Sequence, residues 1–234
     1  MPPPRALGDL PYADHLLPFT GSLTPGAFHD TLHFDGVTVE DADSAGARFT
    51  ECAFSSPVLT GGRFRGARFH DVWLHEPRLV GVDLAESEWV DAEVVAGSLA
   101  GLPVFGSELR RVAFHRCKFD GVTFTAAELR EVTFTDCLLR DVDFGEALLS
   151  EVSFPGSALE DVRFRQARAD GVDLRGAGPL DITAGLGSLR GAVVDSGQLL
   201  ELAPRLAAAV GITVTDAPGP RPERTGCARR GRSR

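Results

Sequence analysis

From Phe49 to Leu174 every fifth residue is apolar, twenty-six positions in succession. At the chain's own apolar content of 43%, the chance of such a run is roughly 10⁻⁹ before correcting for choice of frame. Eleven of the fifteen phenylalanines lie on this register, and weaker members extend it to Phe34 and Val39 before it and to Leu189 and Val194 after it. A strand alternates with period two and a helix with 3.6, so five fits neither. Only a chain that runs straight for a few residues, turns, and repeats can return a large side chain to one place every fifth residue.

The position two before each large residue is also constrained. From Val112 it reads Val112, Cys117, Val122, Ala127, Val132, Cys137, Val142, Ala147, Val152, Ser157, Val162, Ala167 and Val172. Two inward residues separated by two is the strand rule, applied briefly before a corner. A second period, twenty, runs through Gly61, Gly81, Gly101 and Gly121 and continues in Asp141, Asp161 and Asp181. Twenty is four units of five, so the sequence predicts a four-sided solenoid whose coils stack at strand spacing, about 4.8 Å. Leu102 is too large for the small position, and Val94, Val104 and Ala169 are undersized for the large one. The low-charge stretch Trp89–Gly106, with Phe105 off the register, predicts an irregular or exposed apolar coil.

This alternation of a large residue with a small one two before it resembles the pentapeptide-repeat family, over about Phe34 to Val194. The resemblance implies an all-β solenoid, a right-handed quadrilateral β-helix with a short C-terminal α-helical cap, whose interior is filled by its own side chains. The chain then divides into an irregular, proline-rich N-terminal cap at 1–30 with room for one covering strand, a β-helix at 31–195, a C-terminal helix and strand at 196–216 that serve as cap or dimerisation segment, and a disordered basic tail at 217–234.

At the C-terminal end, Leu199, Leu202, Leu206 and Val210 follow at helical spacing. Pro204 within them predicts a kink or two short helices, Gly211 a helix stop, and Ile212–Val214 a short strand. This is more apolar surface than a lid needs. In relatives that this chain resembles, such a segment joins two solenoids tail to tail, which implies a homodimer through Leu199, Leu200, Leu202, Leu206, Val210, Ile212 and Val214.

No catalytic constellation stands out, and the reading is of a protein that is not an enzyme and needs no cofactor or metal. His75 and His115 share a column but lie two coils apart, roughly 10 Å. In "HRCKF" the histidine points out and Cys117 points in. The four cysteines form no CxxC pair, and Cys117 and Cys137 stack in parallel, a poor geometry for a disulfide. The N-terminus lacks a basic start followed by an apolar run, and no segment approaches a membrane span, so a cytoplasmic protein is expected.

Charge is what the outer positions offer. The chain carries −9, but the tail 217–234 holds six Arg and one Glu, which leaves −14 on residues 1–216. Candidate partner-binding residues are Glu51, Asp71, Glu88, Asp91, Glu108, Glu128, Glu131, Asp141, Glu151 and Asp161, interleaved with Arg48, Arg68, Arg110, Arg111, Arg130 and Arg168. Of these, Asp141 and Asp161 are expected on the next side, which adds Asp120, Glu160 and Asp181 toward the C-terminus. Acidic members of the family resemble B-DNA in width and charge and bind DNA gyrase or topoisomerase IV. The resemblance is nearest to the loopless mycobacterial fluoroquinolone-resistance type, and it implies a DNA mimic that modulates the enzyme or protects it from poisons. The alternative is a scaffold for another protein, using an apolar patch near Val90, Val95 and Phe105.

Overall fold

The computed structural model describes residues 3–215. The chain winds eight times around a four-sided prism. The first wall is an eight-stranded parallel sheet from Phe28–Asp30 to Arg168–Asp170. The second starts with Leu17–Pro18 and Leu32–Asp35 and runs to Thr133–Thr135. The third runs from Thr38–Glu40 to Leu180–Ala184. Single bridges such as Asp43–Arg63–Asp83 and Thr123–Asp143–Arg163 tie the fourth wall. Residues twenty apart pair throughout the regular coils, as in Leu109 with Leu129 and Phe114 with Phe134.

The corners explain how a chain turns every five residues. The residue two after each large one takes the left-handed conformation, with φ from +47° to +67° along the regular coils. That bend redirects a strand after three residues, too soon for alternation to develop. Glycine adopts it freely and Asp and Asn tolerate it, whereas other L-residues hold it at a cost of about 1–2 kcal/mol.

Phe134, Leu139, Phe144 and Leu149 occupy the four walls of one coil and are all buried. Phe134 lies between Phe114 and Phe154 in near-parallel stacks with centroids 5.0 and 5.1 Å away. Phe124, Phe144 and Phe164 form a second stack at 5.2 Å. These stacks continue the dispersion contacts from coil to coil. Trp89 extends the Phe49–Phe69 stack, and its indole N–H donates to Ser87 Oγ at 2.9 Å. Ser87 and Ser107 stand where other coils of that wall place alanine, so the buried indole keeps a partner.

Trp89–Gly106 departs from expectation. It is a regular coil, with strands Glu88–Val90, Glu93–Val95 and Ser98–Ala100. Leu102 and Val104 exchange the usual small and large roles, and both are buried. They line, with Val94 and Trp89, a void of about 30 Å³, about the space of one water. Val90 lies on the first wall, buried Val95 on the second, and Phe105 on the fourth, so the three form no common patch. Phe105 alone reaches solvent, with the Arg65 guanidinium 5.1 Å above its ring.

The last coil breaks the count. Leu159 pairs with Leu180, one residue beyond the expected twenty, and a bulge restores Val162 opposite Ile182. Helix α1, Ser196–Ala209, then closes the end. Asp195 caps it by accepting from the Gln198 amide, and Gln198 returns a bond to the Asp195 N–H. The buried Gln198 side chain donates to the carbonyl of Ala177, which no further coil pairs, and to that of Leu174, which also accepts the Ala177 N–H at 3.1 Å. Leu202 is buried against the core and Leu206 packs on it. The helix runs unbroken through Pro204, because the carbonyl deprived of its partner belongs to Leu200, which faces water. Gly211 follows in the left-handed conformation, but Ile212–Val214 forms no strand.

The N-terminal segment does more than cover the first coil. Residues 3–16 cross the outside of the second wall, and Leu10 and Tyr12 bury themselves against Ala53 and Trp73 in a second, smaller core. The tail 217–234 lies outside the described residues.

Candidate functional site

Because the interior is filled by the chain's own, mostly apolar side chains, partner chemistry must lie on the walls and edges. The left-handed corners concentrate it. Of the nineteen non-glycine residues at positive φ among the described residues, twelve are acidic: Asp41, Glu51, Asp71, Glu76, Glu86, Asp91, Glu131, Asp136, Asp141, Glu146, Glu151 and Asp161. Two, Arg111 and Arg116, are basic. Negative charge therefore rides on the ridges of the prism, the most protruding part of each coil.

The ridge between the first and second walls reads Thr31, Glu51, Asp71, Asp91, Arg111, Glu131, Glu151 and Gly171. Beside it, Glu88, Glu108 and Glu128 stand in register on the first wall. Eight of the ten candidate acidic residues are thus brought together. Asp141 and Asp161 are not among them. They lie on the ridge between the third and fourth walls, diagonally across the prism, as do their neighbours Asp120, Glu160 and Asp181 on that side. The reason is arithmetic: ten residues is half a coil, so Glu131 and Asp141 face opposite ways.

The eight are not equivalent. Arg111 binds Asp91 with two hydrogen bonds of 2.6 Å, and the guanidinium holds the Asp91 carboxyl below the usual range. Glu88 pairs with Arg68 at 3.4 Å and Glu131 with Arg130 at 3.7 Å. Glu51, Asp71, Glu108, Glu128 and Glu151 form no ion pair among the described residues. Across the prism, Arg163 gathers Asp141 at 2.7 Å, Asp143 at 3.4 Å and Asp161 at 3.6 Å. That far ridge is partly neutralised, while the near one keeps free carboxylates.

Two further residues escaped the sequence reading. Glu93, an outward residue of the second wall, is buried and receives Arg5 through its main-chain N–H at 2.8 Å and its Nε at 2.5 Å. His115, expected outside, is also buried, 3.8 Å from Glu93. Burial pulls the His115 imidazole below its ordinary pKa, against the opposing pull of the Glu93 carboxylate. Nothing in the local five-residue pattern marks Glu93, because a segment nearly ninety residues away reaches it.

At the C-terminal end, the seven residues expected at a dimer interface divide. Leu202 and Leu206 are used inside this chain, while Leu199, Leu200, Val210, Ile212 and Val214 are exposed. Among the described residues no group of three His, Cys, Asp or Glu side chains converges as a metal site, and no helix is long and apolar enough to cross a membrane. Cys52, Cys117 and Cys137 are buried free thiols.

A family profile described as a pentapeptide repeat region matches residues 107–178. No curated protein matches the chain. Among solved structures, trypsin-treated QnrB1, a plasmid-mediated fluoroquinolone resistance protein, is 16% identical, with a TM-score of 0.53 over 81% of this chain and 100% of that one. HetL, a pentapeptide repeat protein involved in heterocyst differentiation regulation from the cyanobacterium Nostoc sp. strain PCC 7120, is also 16% identical. Its TM-score is 0.25, over 76% of this chain and 93% of that one.

Proposed function

We propose that this chain, a solenoid whose residues 107–178 match the pentapeptide repeat region, acts without catalysis, as an acidic rod that occupies the basic DNA-binding surface of DNA gyrase or topoisomerase IV. The observation that carries this reading is the concentration of carboxylates on left-handed corners, twelve of nineteen. Glycine would hold those corners without strain. Carboxylates there project from the prism at one-coil intervals, about 4.8 Å. Eight coils span about 38 Å, so the −14 of residues 1–216 amounts to about one net charge per 2.7 Å. B-DNA carries one per roughly 1.7 Å. The rod is a weaker polyanion than DNA but of the same order, and a surface that reads backbone charge would attract it. The working ridge in this proposal is Glu51, Asp71, Asp91, Glu131 and Glu151 with Glu88, Glu108 and Glu128 beside it.

We place a second copy at the C-terminal end, where Leu199, Leu200, Val210, Ile212 and Val214 leave an apolar surface that the solenoid does not use. Two rods joined there would double the length of acidic ridge. Leu200→Glu should then convert a sedimenting dimer to a monomer.

The functional test is gyrase supercoiling, with and without a fluoroquinolone, using the natural chain and a Glu51→Gln, Asp71→Asn, Glu131→Gln, Glu151→Gln variant. The proposal expects the natural chain to alter supercoiling or its inhibition, and the variant to lose that effect. No effect of the natural chain on gyrase or topoisomerase IV would end it.

A further inference from the structure

We propose that the N-terminal strap is a releasable latch: it is hinged where the chain enters the solenoid, fastened at its tip by Arg5, and able to peel from the tip without unfolding the coils. The attachments are unequal along its length. Leu17 N donates to the Thr31 carbonyl at 3.0 Å and begins the first pairing with the second wall. From Ala6 to Leu16 the backbone hydrogen bonds stay within the strap, in the short turns Leu7–Asp9 and Ala13–His15. The segment therefore lacks the strand pairing that secures the coils beneath it.

What fastens the tip is one residue. Arg5 gives its N–H and its guanidinium to Glu93 and takes the Trp73 indole N–H on its carbonyl at 3.1 Å. Farther back, Leu10 and Tyr12 seat against Ala53 and Trp73, and Tyr12 Oη reaches only a long 3.5 Å contact with the Cys52 carbonyl. Closed, the strap buries a carboxylate and an indole that stand on an outer wall. Opened at the tip, it bares Glu93, two residues past Asp91, and withdraws the Arg5 cation. The ridge of Glu51, Asp71 and Asp91 would gain a carboxylate and lose a neighbouring positive charge. This last consequence rests on the acidic-ridge reading; the motion itself does not.

The chain's two tryptophans make the test internal. The Trp73 indole N–H is held by the strap, and that of Trp89 by Ser87 inside the coil. Indole hydrogen exchange followed by NMR on the full chain reads both openings separately. The latch predicts that Trp73 exchanges faster than Trp89 in the natural chain. In Arg5→Ala and in Glu93→Gln, Trp73 should exchange roughly tenfold faster again, as expected for losing a charge-assisted bond, while Trp89 stays unchanged. Equal exchange of the two indoles, or joint acceleration of both in the variants, would overturn it, since the strap would then open only with the whole fold. If Trp73 responds as stated but partner binding does not change, the latch stands and its link to the ridge fails.

Discussion

Asp71→Asn should make this protein more stable, and Asp91→Asn should not, although the two residues occupy successive coils of one ridge. Both hold the left-handed conformation, with φ of 52° and 56°, and Asn tolerates it as well as Asp does. The substitution therefore removes charge and leaves the corner intact. Asp71 stands between Glu51 and Asp91. At about 4.8 Å in a water-like dielectric, two like charges repel by about 0.9 kcal/mol, and screening at physiological salt reduces that to about 0.5 kcal/mol. Arg111 largely cancels the Asp91 charge, and it sits two coils from Asp71, beyond the Debye length. The gain in Asp71→Asn then comes mainly from Glu51: about 0.5 kcal/mol at 0.15 M salt, rising toward 0.9 at low salt and nearly vanishing at 1 M. Asp91→Asn breaks the two bonds to Arg111 and gains no such relief. Urea denaturation, which allows salt to be varied independently, measures both. Destabilisation by Asp71→Asn at low salt, a gain that persists at 1 M, or equal behaviour of the two variants would refute the view of the ridge as stacked like charge held in place by the fold.

Other expectations follow from the interior and the corners. Phe134→Ala removes a fully buried ring from a continuous stack and should cost about 3–5 kcal/mol, seen as a lower urea midpoint; a loss under about 1.5 kcal/mol would mean that the coils close over the gap. Gly81→Ala adds a methyl into open space at φ +63° and should cost about 1–2 kcal/mol. Gly62→Ala, at φ +90°, would put its Cβ 2.5 Å from the Ala42 carbonyl oxygen and 2.8 Å from the Ala42 nitrogen, so its urea midpoint should fall clearly further. Burial pushes the Cys52 thiol up to about 11. Its contribution to stability is whole below the ordinary thiol value and is lost as pH rises toward 11, because the unfolded chain gives up that proton first. Alkylation of Cys52 at pH 8 should accordingly track unfolding.

The five-residue beat made the prism legible because each large residue answers to its own coil and to the coils above and below, all at fixed offsets. Phe134, Leu139 and Phe144 could be assigned to successive walls by counting. The same counting reached the carboxylates but not their grouping: Asp141 and Asp161 read as the next side of one acidic face, although ten residues carry the chain from Glu131 and Glu151 to the opposite ridge. The apolar patch of Val90, Val95 and Phe105 failed for a like reason, since three residues near in sequence fall on three walls. Glu93, His115 and Trp73 could not be read at all. Glu93 and Trp73 lie under a strap outside the repeat, His115 stands beside Glu93, and a periodic pattern carries no information about what lies across it. The plug by Gln198 was hidden too, because its partners are main-chain carbonyls.

A coil that stacks on its predecessor is equally ready to receive a successor, so a bare solenoid end is a template for polymerisation. Translation along the axis never closes on itself, and an uncapped rod would grow as a fibre. The Gln198 side chain fills the place of the missing coil by binding the carbonyls of Leu174 and Ala177. Helix α1 thus gives a fold with no intrinsic length a definite last coil, and in that sense it decides that this chain is a molecule rather than a filament.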